Sequence, residues 1–184
     1  QVLLDNEAGA QKLVDHLRQL GHRDIGVVCA KGSVYPEQKW RIASVTNALN
    51  ASGHLPRENV LTIPRHMYDP CFQNDDIEAF LNRRDRPTAL ICSSDTVAVN
   101  LINIGSAMGI KVPEDLSVAG FDNSVICGFC RPPLTTIKND MWRIGYEAAN
   151  RLVELIANYS FSNSLTKIEP ELVVRESTAP PPIT

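Results

Sequence analysis

Apolar residues along the chain fall into two alternating kinds of run, short continuous stretches and longer ones with gaps of three and four. Ile25-Gly26-Val27-Val28-Cys29, Val60-Leu61-Thr62-Ile63, Ala89-Leu90-Ile91-Cys92-Ser93 and Leu116-Ser117-Val118-Ala119-Gly120-Phe121 are the short kind. Runs of this length read as strands buried on both faces. Between them the spacing is helical. Ala10, Leu13, Val14, Leu17 and Leu20 make one face of a helix capped by Asn6 and stopped by Gly21. Further helices are expected over Pro36–Ser52, Asp75–Arg84 and Thr96–Met108, with Gly53 and Gly109 as stops.

The first residues, Val2 to Asp5, look like the tail of a strand. Arg131-Pro132-Pro133 breaks the chain, and Leu134–Ile137 follows as a short extended segment. An amphipathic helix is predicted over Asp140–Asn158, with Ile144, Ala148, Leu152 and Leu155 on one face. Ser160–Ser164 reads as a polar loop, Lys167–Arg175 as a last strand, and Pro180-Pro181-Pro182 as a frayed tail. Strands alternating with helices at this spacing imply parallel β-α-β units, hence an α/β doubly wound parallel sheet. In such sheets ligands bind beyond the carboxyl ends of the strands.

Composition narrows the choice of partner. The 184 residues are 43% hydrophobic and 21% charged, as in an ordinary globular protein. The formal net charge is −3 and the basic residues are scattered, so this stretch offers no basic stripe to nucleic acid. No apolar run is long enough to span a bilayer, and no membrane partner is expected. The five cysteines are an odd number, which argues against a disulfide framework and for a cytoplasmic setting. Gln1-Val2-Leu3-Leu4-Asp5 has neither a basic flank nor an apolar h-region, so it reads as an internal cut rather than a signal peptide.

Four stretches, in order, carry a resemblance. They are Leu20-Gly21-His22-Arg23-Asp24-Ile25, Ser93-Ser94-Asp95-Thr96-Val97-Ala98, Val112 through Asn123, and Pro132-Pro133-Leu134-Thr135-Thr136-Ile137. With the ending Leu172-Val173-Val174-Arg175-Glu176-Ser177-Thr178, they make the chain resemble the lac-repressor (LacI/GalR) family of transcriptional regulators. The resemblance implies a periplasmic-binding-protein-like fold of two lobes around an effector cleft, with the C-terminal lobe nearly complete and part of the N-terminal lobe. It maps residues 1–22 to a remnant of the N-terminal lobe and 23–133 to the C-terminal effector-binding lobe. Residues 134–160 become the return segment, and 161–184 the last strand and tail.

What the family implies about function follows the same map. A small-molecule effector, a sugar or a related compound, would bind between the lobes of a homodimer. DNA would be contacted only through a helix-turn-helix head upstream of this chain. No cofactor and no metal are implied.

Arg41 lies early in the second helix, where the family places an arginine that reaches into the cleft; its rigid fork suits vicinal oxygens. Asp122 ends a strand, where binding groups gather, though an Asp followed by Asn is also an ordinary way to leave a strand. Ser94 occupies the position of a family effector-binding Asn, and its shorter hydroxyl cannot donate and accept as an amide does. Asp95 reads as the cap of the helix behind it. Tyr68 falls near the family's aromatic platform, with Phe72 as the competitor, and Asp5, Met141 and Trp142 fall near the cleft on the same map.

Three other readings stand beside these. Cys127-Gly128-Phe129-Cys130 has the spacing of a dithiol or half a zinc site, but Arg131-Pro132-Pro133 follows where a helix would be needed. Leu101, Ile102 and Ile104 give the Thr96–Met108 helix more apolar surface than one face needs, a candidate dimer surface. His22 and His54 sit beside helix-ending glycines, which suits helix-dipole contacts better than catalysis. No phosphate-binding glycine loop or Ser-His-Asp set is present, so no enzyme is expected. The alternative function is a periplasmic sugar-binding protein of a transport system, built on the same two-lobe clamp.

Overall fold

The computed structural model describes residues 1–30, 36–51, 53, 59–63, 75–158 and 165–182. Along it run β1 (Val2–Leu4), α1 (Asn6–Gln19), β2 (Ile25–Ala30), α2 (Pro36–Ala51), β3 (Val60–Ile63), α3 (Asp75–Leu81) and β4 (Ala89–Cys92). They are followed by α4 (Asp95–Ala107), β5 (Ser117–Asp122), α5 (Ile126–Phe129), β6 (Thr135–Lys138), α6 (Met141–Asn158), β7 (Thr166–Ile168) and β8 (Glu171–Val173). Six of these strands form one sheet in the order β3-β2-β4-β5-β6-β8, parallel except where β8 runs against β6.

The short apolar runs are buried on both faces because successive side chains in a strand point to opposite sides. Val28, Leu90, Cys92 and Val118 meet α3 and α4 on one face. Val27, Ile91, Ala119 and Phe121 meet Leu13, Val14 and Leu17 of α1 and Val45 and Leu49 of α2 on the other. This is the doubly wound arrangement expected. It places the carboxyl ends of β2, β4 and β5 on one edge, beside the start of α2.

Several expectations change in detail. The cap of α1 is Asp5, whose Oδ1 accepts from the amide of Ala8 at 3.1 Å, and Asn6 is already inside the helix. The predicted cap Asp95 is likewise the first residue of α4, and Ser94 caps it. In both helices the boundary moved by one residue, because an Asp, Asn or Ser can each accept from the first amides. Asp75–Arg84 shortens to Asp75–Leu81.

The single strand expected over Lys167–Arg175 is two, separated at Glu169-Pro170. Proline cannot donate to a ladder, and the chain uses it to change sheets. β7 pairs with β1 in a separate two-stranded sheet, while β8 joins β6. Lys12 holds the crossover, donating to the Glu169 carboxylate at 2.7 Å and the Pro170 carbonyl at 2.8 Å.

The lobe boundaries drawn by resemblance do not coincide with the packing. α1, mapped to the other lobe, packs against α2 and seals a face of the six-stranded sheet, because four of its apolar residues are fully buried there. β6, mapped to the return segment, is a strand of that sheet. What stands apart is β1, β7 and α6, and α6 touches β1. Leu101 and Ile102 of α4 are buried in the core, so they are not free for a dimer surface. The exposed apolar residues nearby are on α5 instead: Val125, just before it, Ile126 and Phe129.

Candidate functional site

Arg41, on the second turn of α2, crosses the carboxyl ends of β4 and β5. Its side chain is 5% exposed, and its Nη2 lies 2.7 Å from Oδ1 of Asp122, whose side chain is 35% exposed. Nη1 donates to the Ser93 carbonyl at 3.4 Å, and the guanidinium carbon sits 5.4 Å from the centre of the Phe121 ring. Nε has no partner. The sheet therefore delivers a paired cation and anion to the carboxyl ends of its strands, the anion end partly open to solvent. Burial pushes the Asp122 carboxyl above the ordinary aspartate value, although Arg41 pulls it down.

Asp122 is positioned by an unusual turn. Asp122 and Asn123 both have left-handed backbones, at φ 118° and 54°. Non-glycine residues in that region cost about 1–3 kcal/mol and persist where the surroundings hold them. Asp95 holds this turn from α4. Its Oδ2 accepts from the Ser124 amide at 2.7 Å and hydroxyl at 2.9 Å, and its Oδ1 accepts from Thr136 Oγ1. Arg175 grips the other side, donating to Asn123 Oδ1 at 2.6 Å. Gly120 makes room, since a Cβ there would fall 2.5 Å from the Asp95 carboxylate. Asp95 is thus a buried anchor rather than a helix cap, a role that no local spacing signals because its partners are 29 and 41 residues away.

The remaining candidates fall in different places. Ser94 is buried and its hydroxyl accepts from the Val97 amide at 3.4 Å, so capping already occupies it. Its neighbour Ser93, passed over by sequence reasoning, has a buried hydroxyl with no partner among the described residues. Asp5 is engaged by Ala8 and lies 3.7 Å from Lys167 Nζ. Tyr68, Phe72 and His54 lie outside the described residues. Met141 and Trp142 are exposed, and Trp142 stacks on Tyr146 with centroids 5.3 Å apart.

The other titratable groups do structural work. His22 is buried rather than at a helix dipole. Its Nε2 meets the Ala179 carbonyl at 2.8 Å and Ser117 Oγ at 3.1 Å, and Nδ1 meets Thr88 Oγ1 at 2.8 Å. The carbonyl partner requires the proton on Nε2. Burial pushes Cys127 up to about 12 and raises Cys130 as well. Cys130 donates to the Pro132 carbonyl at 3.1 Å, so the pair is held as thiols. Among the described residues no group of three His, Cys, Asp or Glu side chains is placed to hold a metal, and no helix is long and apolar enough to cross a membrane.

Comparison with known proteins gives the fold its relatives. The family described as "Periplasmic binding protein-like domain" matches residues 14–178. The transcriptional repressor CytR of Escherichia coli is 31% identical over 181 residues, covering 96% of this chain and 51% of its own length. The repressor PurR of Aliivibrio salmonicida is 32% identical over 181 residues, covering 95% of this chain and 52% of its own. The chain thus spans about half the length of the curated relatives it matches. The solved lac repressor dimer, bound to operator and the anti-inducer ONPF, superposes with a TM-score of 0.82 at 26% identity, covering 97% of this chain and 60% of that one. These relatives are transcriptional regulators, not enzymes. The chain belongs to the periplasmic binding protein-like domain family, and along nearly its whole length it is similar to that domain in LacI-type transcriptional regulators.

Proposed function

We propose that this chain is the effector-sensing part of a cytoplasmic LacI-type transcriptional repressor. A small polar effector, a sugar or a related compound, binds at the strand ends and changes how the lobes close, and closure governs a DNA-binding head elsewhere in the protein. The observation that carries this is the Arg41–Asp122 pair, 2.7 Å apart at the carboxyl edge of the sheet. A buried donor fork beside a half-exposed acceptor carboxylate is suited to adjacent hydroxyls. Tyr68 remains the candidate stacking platform and Asp5 a candidate contact from the other lobe. The task is binding with different affinity for two arrangements, which asks for no catalysis.

The relatives favour regulation over transport, since matches across nearly the whole chain are to repressors. A homodimer fits the lac repressor comparison, and the surface we assign to it is α5, where Val125 and Phe129 are 81% and 77% exposed. Phe129→Asp should then shift the protein toward monomer in sedimentation. The effector is to be found by thermal-shift screening of sugars, sugar phosphates and purines against the intact protein. Arg41→Ala and Asp122→Ala should each weaken the best hit by tenfold or more, about 1.4 kcal/mol. Affinities within twofold of the unaltered protein would show that the pocket lies elsewhere.

A further inference from the structure

A cavity of about 280 Å³ opens beside Arg41, lined by Cys29, Ala30, Ile42, Ala43 and Ser93 with Gln38 and Lys39 at its margin. Its wall is chiefly apolar, and Ser93 closes it from the end of β4. Ser93 is 1% exposed and its Oγ has no hydrogen-bond partner among the described residues. Folded proteins pair nearly all such groups, so a buried hydroxyl left free needs a reason. Its backbone is fully used, the amide donating to Val28 at 2.9 Å and the carbonyl accepting from Arg41 at 3.4 Å. Arg41 Nε is likewise buried and without a partner among the described residues.

We propose that Ser93 is a ligand-contacting residue that determines specificity, its hydroxyl bonding an edge group of an effector whose flat or apolar face lies against Ile42, Ala43, Ala30 and Cys29. This rests on the effector-site reading above and sharpens it. Arg41 and Asp122 hold the hydroxyls of a ligand, while the cavity takes a weakly polar ring attached to them. A ligand without a hydrogen-bonding edge leaves Ser93 unpaired and is rejected, the way sites built around buried polar groups discriminate. A ligand with hydroxyls all around its rim would bury some of them against the apolar wall unpaired.

The test pairs D-ribose with adenosine, the same sugar carrying a flat ring, in isothermal titration against the intact protein, Ser93→Ala and Arg41→Ala. Adenosine should bind at least tenfold tighter than ribose, and Ser93→Ala should weaken adenosine about tenfold while leaving ribose unchanged. Arg41→Ala should weaken both. Ribose binding as tightly as adenosine, neither binding at all, or adenosine insensitive to Ser93→Ala would each overturn the proposal. If Arg41→Ala also left binding unchanged, the effector-site reading would fall with it. Urea denaturation without ligand gives an independent arm. A hydroxyl kept for a ligand stabilises nothing in its absence, so Ser93→Ala should be at least as stable as the unaltered protein. A clear loss of stability would make the hydroxyl structural.

Discussion

The six-stranded body and the small unit of β1, β7 and α6 are built from the same kind of sequence, yet they end in opposite states. In the body the apolar faces of α1 and α3 found partners. Leu13, Val14 and Leu17 of α1 and Ile77 and Leu81 of α3 are all fully buried. In the small unit α6 has the same helical spacing, and Trp142, Leu152, Val153 and Ile156 remain 59–76% exposed. Ile144 and Leu155 are covered only in part, and the two-stranded β1–β7 sheet is too small to cover the rest. Amphipathic spacing thus records that a helix has an inner face, not whether anything present lies against it.

The comparison is easiest to break at the centre of the body. Leu90 on β4 is fully buried between its neighbours, and Leu90→Ala should cost about 2–5 kcal/mol in urea denaturation, the usual range for a core cavity. A cost below 1 kcal/mol would mean that the body is no better packed than the small unit. Next comes Asp95, which ties α4 to the turn after β5 and to β6. Asp95→Ala removes the acceptor of the Ser124 amide and hydroxyl and takes the carboxylate from the buried Thr136 hydroxyl, and should cost about 1–3 kcal/mol. It should also weaken effector binding, because Asp122 loses the clamp that holds its left-handed backbone. Unchanged affinity would separate the clamp from the site.

The sequence showed much of this because most of it is local. The buried strands, the helices and the doubly wound order follow from period and spacing, and β2, β3, β4 and β5 lie where their apolar runs are. Arg41 and Asp122 were legible as members of a family motif, and the sheet brings them together. What escaped were partners made by distant chain segments. Asp95 read as a cap because a cap is the nearest use for an Asp before a helix; only the approach of β6 gives it Thr136. Ser94 and Ser93 are chemically the same residue, and nothing in the sequence says which hydroxyl the helix takes. The packing of α1 on the six-stranded sheet was not legible for a similar reason, since its apolar face would fit any apolar surface.

A smaller effect separates the body's tail from its core. His22 ties the C-terminal segment to β5 through Ala179 and Ser117, and burial lowers its pKa below histidine's ordinary value. The unfolded chain therefore takes up a proton at a higher pH than the folded one does. Stability contributed by neutral His22 is complete above histidine's ordinary pKa and is lost as pH falls from there toward the lowered folded value. His16, which meets Thr178 at 3.0 Å and is also lowered by burial, adds in the same direction. His22→Gln should flatten, without abolishing, the decline in denaturation midpoint between pH 7 and 5. A slope unchanged by the substitution would assign the decline to His16 and the carboxylates.

The smallest expected effect is on α6, and there it carries the most about the comparison. Ile156 is 66% exposed, so replacing it by Ser removes little buried area. In this chain alone Ile156→Ser should change stability by less than about 0.5 kcal/mol, the range for surface positions. Ile144→Ser, at a partly covered position of the same helix, should cost more, because it removes apolar area that is already out of water. The contrast isolates face from propensity, since both substitutions make the same change within one helix. If Ile156→Ser cost as much as Ile144→Ser, α6 would be packed on both sides in solution. Its outer stripe, with Trp142 and Tyr146 stacked at one end, would then be covered by something that this chain does not itself supply.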